Sequence, residues 1–193
     1  MTILGNELLR GALVRLAGPR AEDAELMARW SEDAEYMRLE DSDWVRPHPG
    51  DEFARPGVPG PNAVEFRIRT LDDDRLIGFL ALHSIEWNNQ TGQISVGIGD
   101  RTYWNKGCGT DAMRLGLRYA FLELNLQRLT LDVISYNVRA VHVYERLGFR
   151  HEGALRRAVL RDGQRFDMLL MGILREEWEE SCRPRVGDAI VHE

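Results

Sequence analysis

Lysine is almost missing from this chain: of its 25 basic residues all but Lys106 are arginine. An arginine-favouring codon usage explains the bias, but it leaves a single ammonium group whose position matters. Cysteine is nearly as scarce. Cys108 and Cys182 are too few for a disulfide framework or a cysteine-rich zinc site, which makes a reducing cytoplasm the default setting. No apolar run approaches the roughly 20 residues that span a bilayer, so no membrane association is expected. Met1 to Arg10 lacks the basic-then-apolar order of a secretory leader. A broad basic surface is also lacking. The formal net charge of −6 excludes a nucleic-acid binder held by such a surface, and any polyanionic ligand must be met by local donors. The five histidines show no metal-ligand spacing, and no metal is expected.

What is present fits one globular domain. Its 193 residues can bury a sizeable core, and 44% apolar with 29% charged residues is ordinary for that class. No solenoid-like repeat or low-complexity tract occurs. Leu13 to Leu16 reads as a strand, Arg20 to Trp30 as a helix opened by Pro19, and Ser31 to Leu39 as a second helix. Residues 40–62 hold five prolines and no period, which predicts a long loop. Three strands follow, Val64 to Ile68, Leu76 to Ile85 and Thr91 to Ile98, with turns at Asp72–Asp74 and Asn88–Gln90. The spacing then predicts a helix over Gly109–Leu124, a strand over Arg128–Ser135 and a helix over Val138–Leu147 capped by Asn137 and closed by Gly148. Strands near 150–160 and 165–173 join at Asp162-Gly163, a hairpin signal, and Glu176 to Arg185 reads as a short helix or tail. The order β-α-α-β-β-β-α-β-α-β-β describes an α+β domain over residues 1–176, with a mixed sheet and helices on both faces, followed by a C-terminal helix or tail at 177–193.

Lys106-Gly107-Cys108-Gly109-Thr110 stands where a helix begins. Unpaired amides and the positive end of the helix dipole suit a phosphate there, and the glycines keep side chains out of its way. Thr110 adds a hydroxyl and Lys106 the ammonium. The same glycines would equally serve a tight strand-to-helix turn with no ligand. Residues 107–112 also fit the loose dinucleotide pattern G-x-G-x-x-A, but a linker from Asp100 to Lys106 separates the turn from its strand, unlike the dinucleotide fold. A Walker loop fails because no G-K-[ST] occurs.

The run from Ile94 through Gly97, Gly99, Trp104, Asn105 and Lys106-Gly107-Cys108-Gly109-Thr110 to Ala112 resembles the acetyl-CoA motif of the GNAT acetyltransferase superfamily. More narrowly, it is similar to the branch of ribosomal-protein-alanine and spermidine N-acetyltransferases. A second block, Asn137 to Phe149, and a third, Glu152 through Asp162-Gly163 to Asp167, follow in the family's order. The broad family has Arg or Gln where Trp104 stands; Trp is common in the narrower branch. The resemblance implies a splayed GNAT-like sheet, acetyl-CoA as acyl donor, and direct attack by a primary amine, either a small cationic amine or a protein N-terminus. It also implies a homodimer. A catalytically silent module that binds coenzyme A as a sensor or interaction partner is the alternative.

The resemblance further implies cofactor contacts from Val96, Gly97, Ile98, Trp104, Asn105, Lys106, Gly107, Cys108, Gly109, Thr110 and Asn137. One amide in Val96 to Ile98 would stabilise the oxyanion, with Gly97 and Gly99 permitting the splay. Tyr144 is the expected general acid for the departing thiolate, although Ala140, Val143, Tyr144 and Leu147 share a helical face and a core role would also explain it. Asn137 would cap its helix with or without a cofactor contact. Glu86, ending a strand, is the candidate base, against the plainer reading of an exposed strand-end acid. Cys108 reads as packing rather than a nucleophile. Glu35, Glu40, Asp41 and Asp43, with Trp44 and Phe53, would give the acceptor side an acidic, aromatic rim, although a solvated charged loop fits them as well.

Overall fold

The computed structural model describes residues 8–54 and 60–182. A seven-stranded sheet runs in the order β1-β2-β3-β4-β5-β7-β6. Its strands are β1 Val14–Ala17, β2 Val64–Thr70, β3 Leu76–Glu86, β4 Thr91–Ile98, β5 Arg128–Ile134, β6 Arg150–Arg161 and β7 Gln164–Leu174. The helices are α1 Asp23–Ser31, α2 Ala34–Glu40, α3 Gly50–Ala54, α4 Cys108–Arg118, α5 Val138–Arg146 and α6 Arg175–Ser181. The alternation of types and the mixed sheet agree with the α+β expectation.

Two details differ from the sequence reading. The proline-rich stretch contains α3, too short to show a period; Phe53 on it packs on the cluster of Met27, Trp30, Tyr36 and Leu76. The long helix stops being α at Arg118 and continues as one π turn, Tyr119–Glu123, in which the Leu124 amide donates to the Tyr119 carbonyl at 3.1 Å. The C-terminal helix is seen as Arg175–Ser181 among the described residues; the rest of the expected helix or tail, residues 183–193, lies outside them. The Asp162-Gly163 hairpin is as read: both residues have positive φ, 48° and 74°, as a type I′ turn requires.

Strand alternation explains the two layers. Leu80, Leu82, Ile94, Leu129, Leu131 and Val133 share a core with Ala112, Met113 and Leu117 of α4. Phe79, one residue out of phase with Leu80, meets Trp30 and Tyr36 from α1 and α2 on the other face. Under α1, Asp23 is buried against Arg69 and Arg67 of β2, and Arg67 also pairs with Glu65. This charged cluster anchors α1, and α2 behind it, to the sheet.

One junction is unlike the rest. β4 and β5 are parallel, the others antiparallel, and they pair only from Thr91↔Arg128 to Gln93↔Thr130. Beyond that point Ile94–Ile98 and Leu131–Ile134 diverge and leave two backbone edges facing a gap. Among the described residues no helix is long and apolar enough to cross a membrane.

Candidate active site

The gap between β4 and β5 opens into a cleft of about 860 Å³. Its walls include Ile94–Ile98, Leu131–Ile134, the N-terminus of α4 and one face of α5. The ladder phase fixes which β4 groups face it. Gly99 N–H donates to the Ile77 carbonyl at 2.9 Å, and the register runs unbroken from Gly78↔Ile98 to His83↔Gln93. Antiparallel alternation therefore turns the amides of Gly97 and Ser95 toward β3, and those of Val96 and Ile98 toward the cleft. Gly97 also serves packing on the Phe79 side of β4. A Cβ there would stand 2.6 Å from Phe79 Cε1 and 2.9 Å from Tyr36 Oη, so its bare Cα makes room for the cleft floor. Gly99 likewise yields its space to the Trp30 ring.

At the α4 end, Gly107 has φ +85°, the left-handed conformation glycine adopts freely, and no side chain caps the helix. Asp111 N–H bonds back to the Gly107 carbonyl at 2.9 Å, leaving the first-turn amides of Cys108, Gly109 and Thr110 free of intrahelical bonds. The adjacent carboxylate of Asp111 is occupied by Leu13 N–H (2.7 Å) and Val14 N–H (3.0 Å). Asn105, also at positive φ, Gly107 and these three residues line the cleft; Lys106 does not, and its Nζ lies 5.5 Å from the Tyr103 ring centre. Burial, then Asp111, pushes the Cys108 thiol above its usual range, the reverse of an activated nucleophile.

Trp104 Nε1 donates to the Ile98 carbonyl at 2.6 Å, while the Arg139 guanidinium stacks 4.3 Å from its ring centre. It therefore fixes the outer end of β4 and links it to α5. Asn137 caps α5 by accepting from Ala140 N–H at 3.2 Å, and its amide donates to the Leu39 carbonyl at 3.1 Å. Tyr136 Oη donates to the Arg38 carbonyl, and Arg161 donates to the carbonyls of Asp41 and Asp43, both at 2.9 Å. These bonds hold the end of α2 against the cleft.

Tyr144 projects from α5 into the same space, and burial followed by the charge of Asp132 pushes its phenol up to about 12. Glu40 and Asp41 line the opposite part of the cleft. Glu40 keeps an exposed surface on the cleft side, yet the surrounding walls crowd its carboxylate and push its pKa up to about 7, with the Tyr36 hydroxyl opposing the rise. Glu35 is tied instead to Arg101 at 2.7 Å, and Trp44 stands 76% exposed.

Glu86 is not brought to this site. It sits exposed at the β3–β4 turn, at the far end of β4 from the α4 turn, where Asn89 donates to it at 2.6 Å. Five other residues on the wall were missed. Arg114 comes from α4, Arg139 and Arg146 from α5, and His83 and Asp132 from β3 and β5. A seven-residue spacing does put Arg139 and Arg146 on one face of α5, a signal the sequence held. Among the described residues no group of three or more potential metal ligands occurs.

Known proteins share these features. The profile described as "Acetyltransferase (GNAT) domain" matches residues 14–150. The spermidine N(1)-acetyltransferase of Escherichia coli (strain K12) is 30% identical over 156 residues, 81% of this chain and 77% of that one. The putative ribosomal N-acetyltransferase YdaF of Bacillus subtilis (strain 168) is 33% identical over 109 residues, 56% of this chain and 59% of that one. Matches to the curated Bacillus relatives span 59 to 69% of their lengths. The fold superposes on spermidine N-acetyltransferase from Vibrio cholerae, solved with CoA and spermine, with a TM-score of 0.78 at 22% identity, covering 86% of this chain and 98% of that one. With the profile covering most of the chain and the sheet splayed where the motif ends, this protein belongs to the GNAT acetyltransferase family.

Proposed function

We propose that the protein is an acetyl-CoA-dependent N-acetyltransferase that acylates a primary amine, a small cationic amine or a protein N-terminus, by direct attack. The observation that carries this reading is the polarity of the cleft. Free helix amides and Arg114 line it from α4 and Arg139 and Arg146 from α5, while Glu40, Asp41 and Asp132 also line its wall. A polyanionic acyl donor and a cationic acceptor would each find complementary charge, despite the net charge of −6.

The residues fit the donor. The amides of Cys108, Gly109 and Thr110 would hold its pyrophosphate, and the unpaired β4 edge would receive its pantetheine amides as an added strand. The donor supplies an activated thioester. The amides of Val96 and Ile98 are the two β4 donors available to a developing oxyanion, an effect worth a few kcal/mol. Tyr144, held near 12, stays protonated at neutral pH. It is a weaker acid than a free thiol of about 8.5, so its first task is to donate a hydrogen bond to the departing sulfur. Full transfer follows only as far as the cleft raises the thiolate's own basicity. Glu40 and Asp41 would hold the acceptor's positive charge.

The test is thiol release from acetyl-CoA across polyamines, aminoglycosides and N-terminal peptides, for the wild-type protein and Tyr144→Phe. Release with one amine class, with kcat reduced by about 10²-fold or more in the variant, is expected. Coenzyme A binding with no release from any amine would favour the silent binding module. Turnover unchanged by the substitution would remove Tyr144 from the chemistry. The same reading carries a cytoplasmic location and a homodimer, the latter checked by light scattering.

A further inference from the structure

β3 does not run straight into its turn. Its register with β4 shifts between His83 and Glu86, and within the shift Ser84 adopts φ +50°. The shift lies beyond His83, whose own pairing with Gln93 is regular, so strand alternation puts His83 on the same face as Phe79 and Ala81. On that face His83 lines the cleft, as Phe79 does. Its Nδ1 lies 3.2 Å from Ser84 Oγ, and Nε2 has no hydrogen-bond partner among the described residues. Across the splay, Asp132 of β5 lines the same wall and acts electrostatically on both His83 and Tyr144, so the three groups share one region. The other charged or titratable groups facing the cleft are Tyr36, Glu40 and Asp41 from α2 and its end, Asp111 and Arg114 from α4, Arg139 and Arg146 from α5, and Tyr103 and Cys108 beside the α4 turn. Burial depresses the imidazole's pKa below its ordinary value, against the opposing pull of Asp132, which leaves it neutral at pH 7.

We propose that His83 is the proton acceptor for the attacking amine. This rests on the N-acetyltransferase reading above. The amine enters as its free base. As its nitrogen forms the new C–N bond to the acetyl carbonyl, that nitrogen becomes cationic and its proton far more acidic. His83 Nε2 accepts this proton, the C–S bond breaks, and the thiolate leaves as acceptor of the Tyr144 hydrogen bond. His83 then releases its proton to water and the thiolate takes one from water. One amide and one thiol are formed, with no net change in protons. Asp132 stabilises the transient imidazolium electrostatically. Glu86, the strand-end acid on the same strand, lies outside the cleft and has no route to this nitrogen.

The test compares pH–rate profiles of the wild-type protein, His83→Gln and Glu40→Gln with whichever amine the thiol-release panel identifies. His83→Gln should lower kcat about 10²-fold or more with KM for acetyl-CoA changed less than about threefold. It should also remove an acid-side limb that lies below the ordinary histidine value, a limb Glu40→Gln leaves in place. The amine's own ionisation, higher in pH, stays in all three. A His83→Gln protein with near-wild-type kcat and an intact limb overturns the assignment. If that variant melts or misfolds by circular dichroism, the imidazole of the wild-type protein is titrated by NMR. A midpoint coinciding with the kinetic limb supports the role, and one that does not coincide overturns it. Wild-type thiol release separates the two levels of the argument. Without release from any amine the N-acetyltransferase reading falls and this proposal with it; with release, an unaffected His83→Gln refutes His83 alone.

Discussion

Replacing Asp23 by alanine should damage this protein more than any change in the cleft itself. Asp23 is 3% exposed and faces Arg69, 4% exposed, in direct contact, with Arg67 Nε at 3.9 Å. Its other oxygen accepts the Arg20 amide at 2.8 Å at the start of α1. Arg67 retains Glu65 after the substitution, but Arg69 keeps only the Asp74 carbonyl, at 3.1 Å. Breaking a buried pair from one side typically costs about 3–5 kcal/mol, because a desolvated charge is left without a partner. That is a large share of a total stability of about 5–15 kcal/mol. For a chain of this size it corresponds to a drop in Tm of roughly 6–20 °C. Urea unfolding gives the magnitude, with m unchanged if the transition stays two-state. The double variant Asp23→Ala/Arg69→Met should recover most of the loss, since it removes the orphaned charge as well. A loss under about 1 kcal/mol, the range of exposed pairs, would refute the reasoning by showing that water reaches Arg69. The cleft should feel the change at its acceptor end first, because α1 anchors α2 and its Glu40. The amine KM should rise before coenzyme A affinity falls.

Gly97→Ala should cost about 1–3 kcal/mol by overpacking and lower amine turnover, since its methyl meets Phe79 and Tyr36 and not the donor-facing edge of β4. Unchanged stability by urea titration, with weakened coenzyme A binding, would place the glycine on the donor side instead. Glu40 carries a pH signature: with its folded pKa raised to about 7, the native state holds a proton over roughly pH 4.5–7 that the unfolded state has released. Its unfavourable contribution therefore grows as pH rises through that window, and the stability of Glu40→Gln relative to wild type should rise between pH 4.5 and 7 and level off above. A difference independent of pH would refute the shift.

Much of this architecture was legible in the sequence because it rests on short-range signals. The Asp162-Gly163 turn, the Asn137 cap and the alternation of Leu129, Leu131 and Val133 each follow from local stereochemistry, and each is found where the pattern puts it. The glycine turn that opens α4 was legible for the same reason. α3 and the π turn after Arg118 were not, since five residues carry no period and a π turn differs from an α turn only in which carbonyl is chosen. The glycines of β4 were legible as close approaches, but what approaches them, Phe79, Tyr36 and Trp30, is set by chain far away in sequence.

The acceptor side was harder to read, and the reason is geometric. Strand periodicity says that Thr130, Asp132 and Ile134 face opposite to the core residues of β5, and the default meaning of that face is solvent. It becomes a cleft wall only because β5 leaves β4 after three paired residues, a fact with no sequence signature in either strand. The same holds for His83, which alternation places on the Phe79 face and which the splay beyond Gln93 leaves at the cleft. Glu86 misled for the complementary reason. A carboxylate at the end of a strand beside the splayed one has the right chemistry, but the splay opens toward Ile98, and Glu86 pairs with Thr91 at the closed end. Direction along the strand, rather than residue type, decides which acid or base lines the cleft, and in a parallel pair that parts after Gln93 and Thr130 the open direction is toward the C-terminal ends.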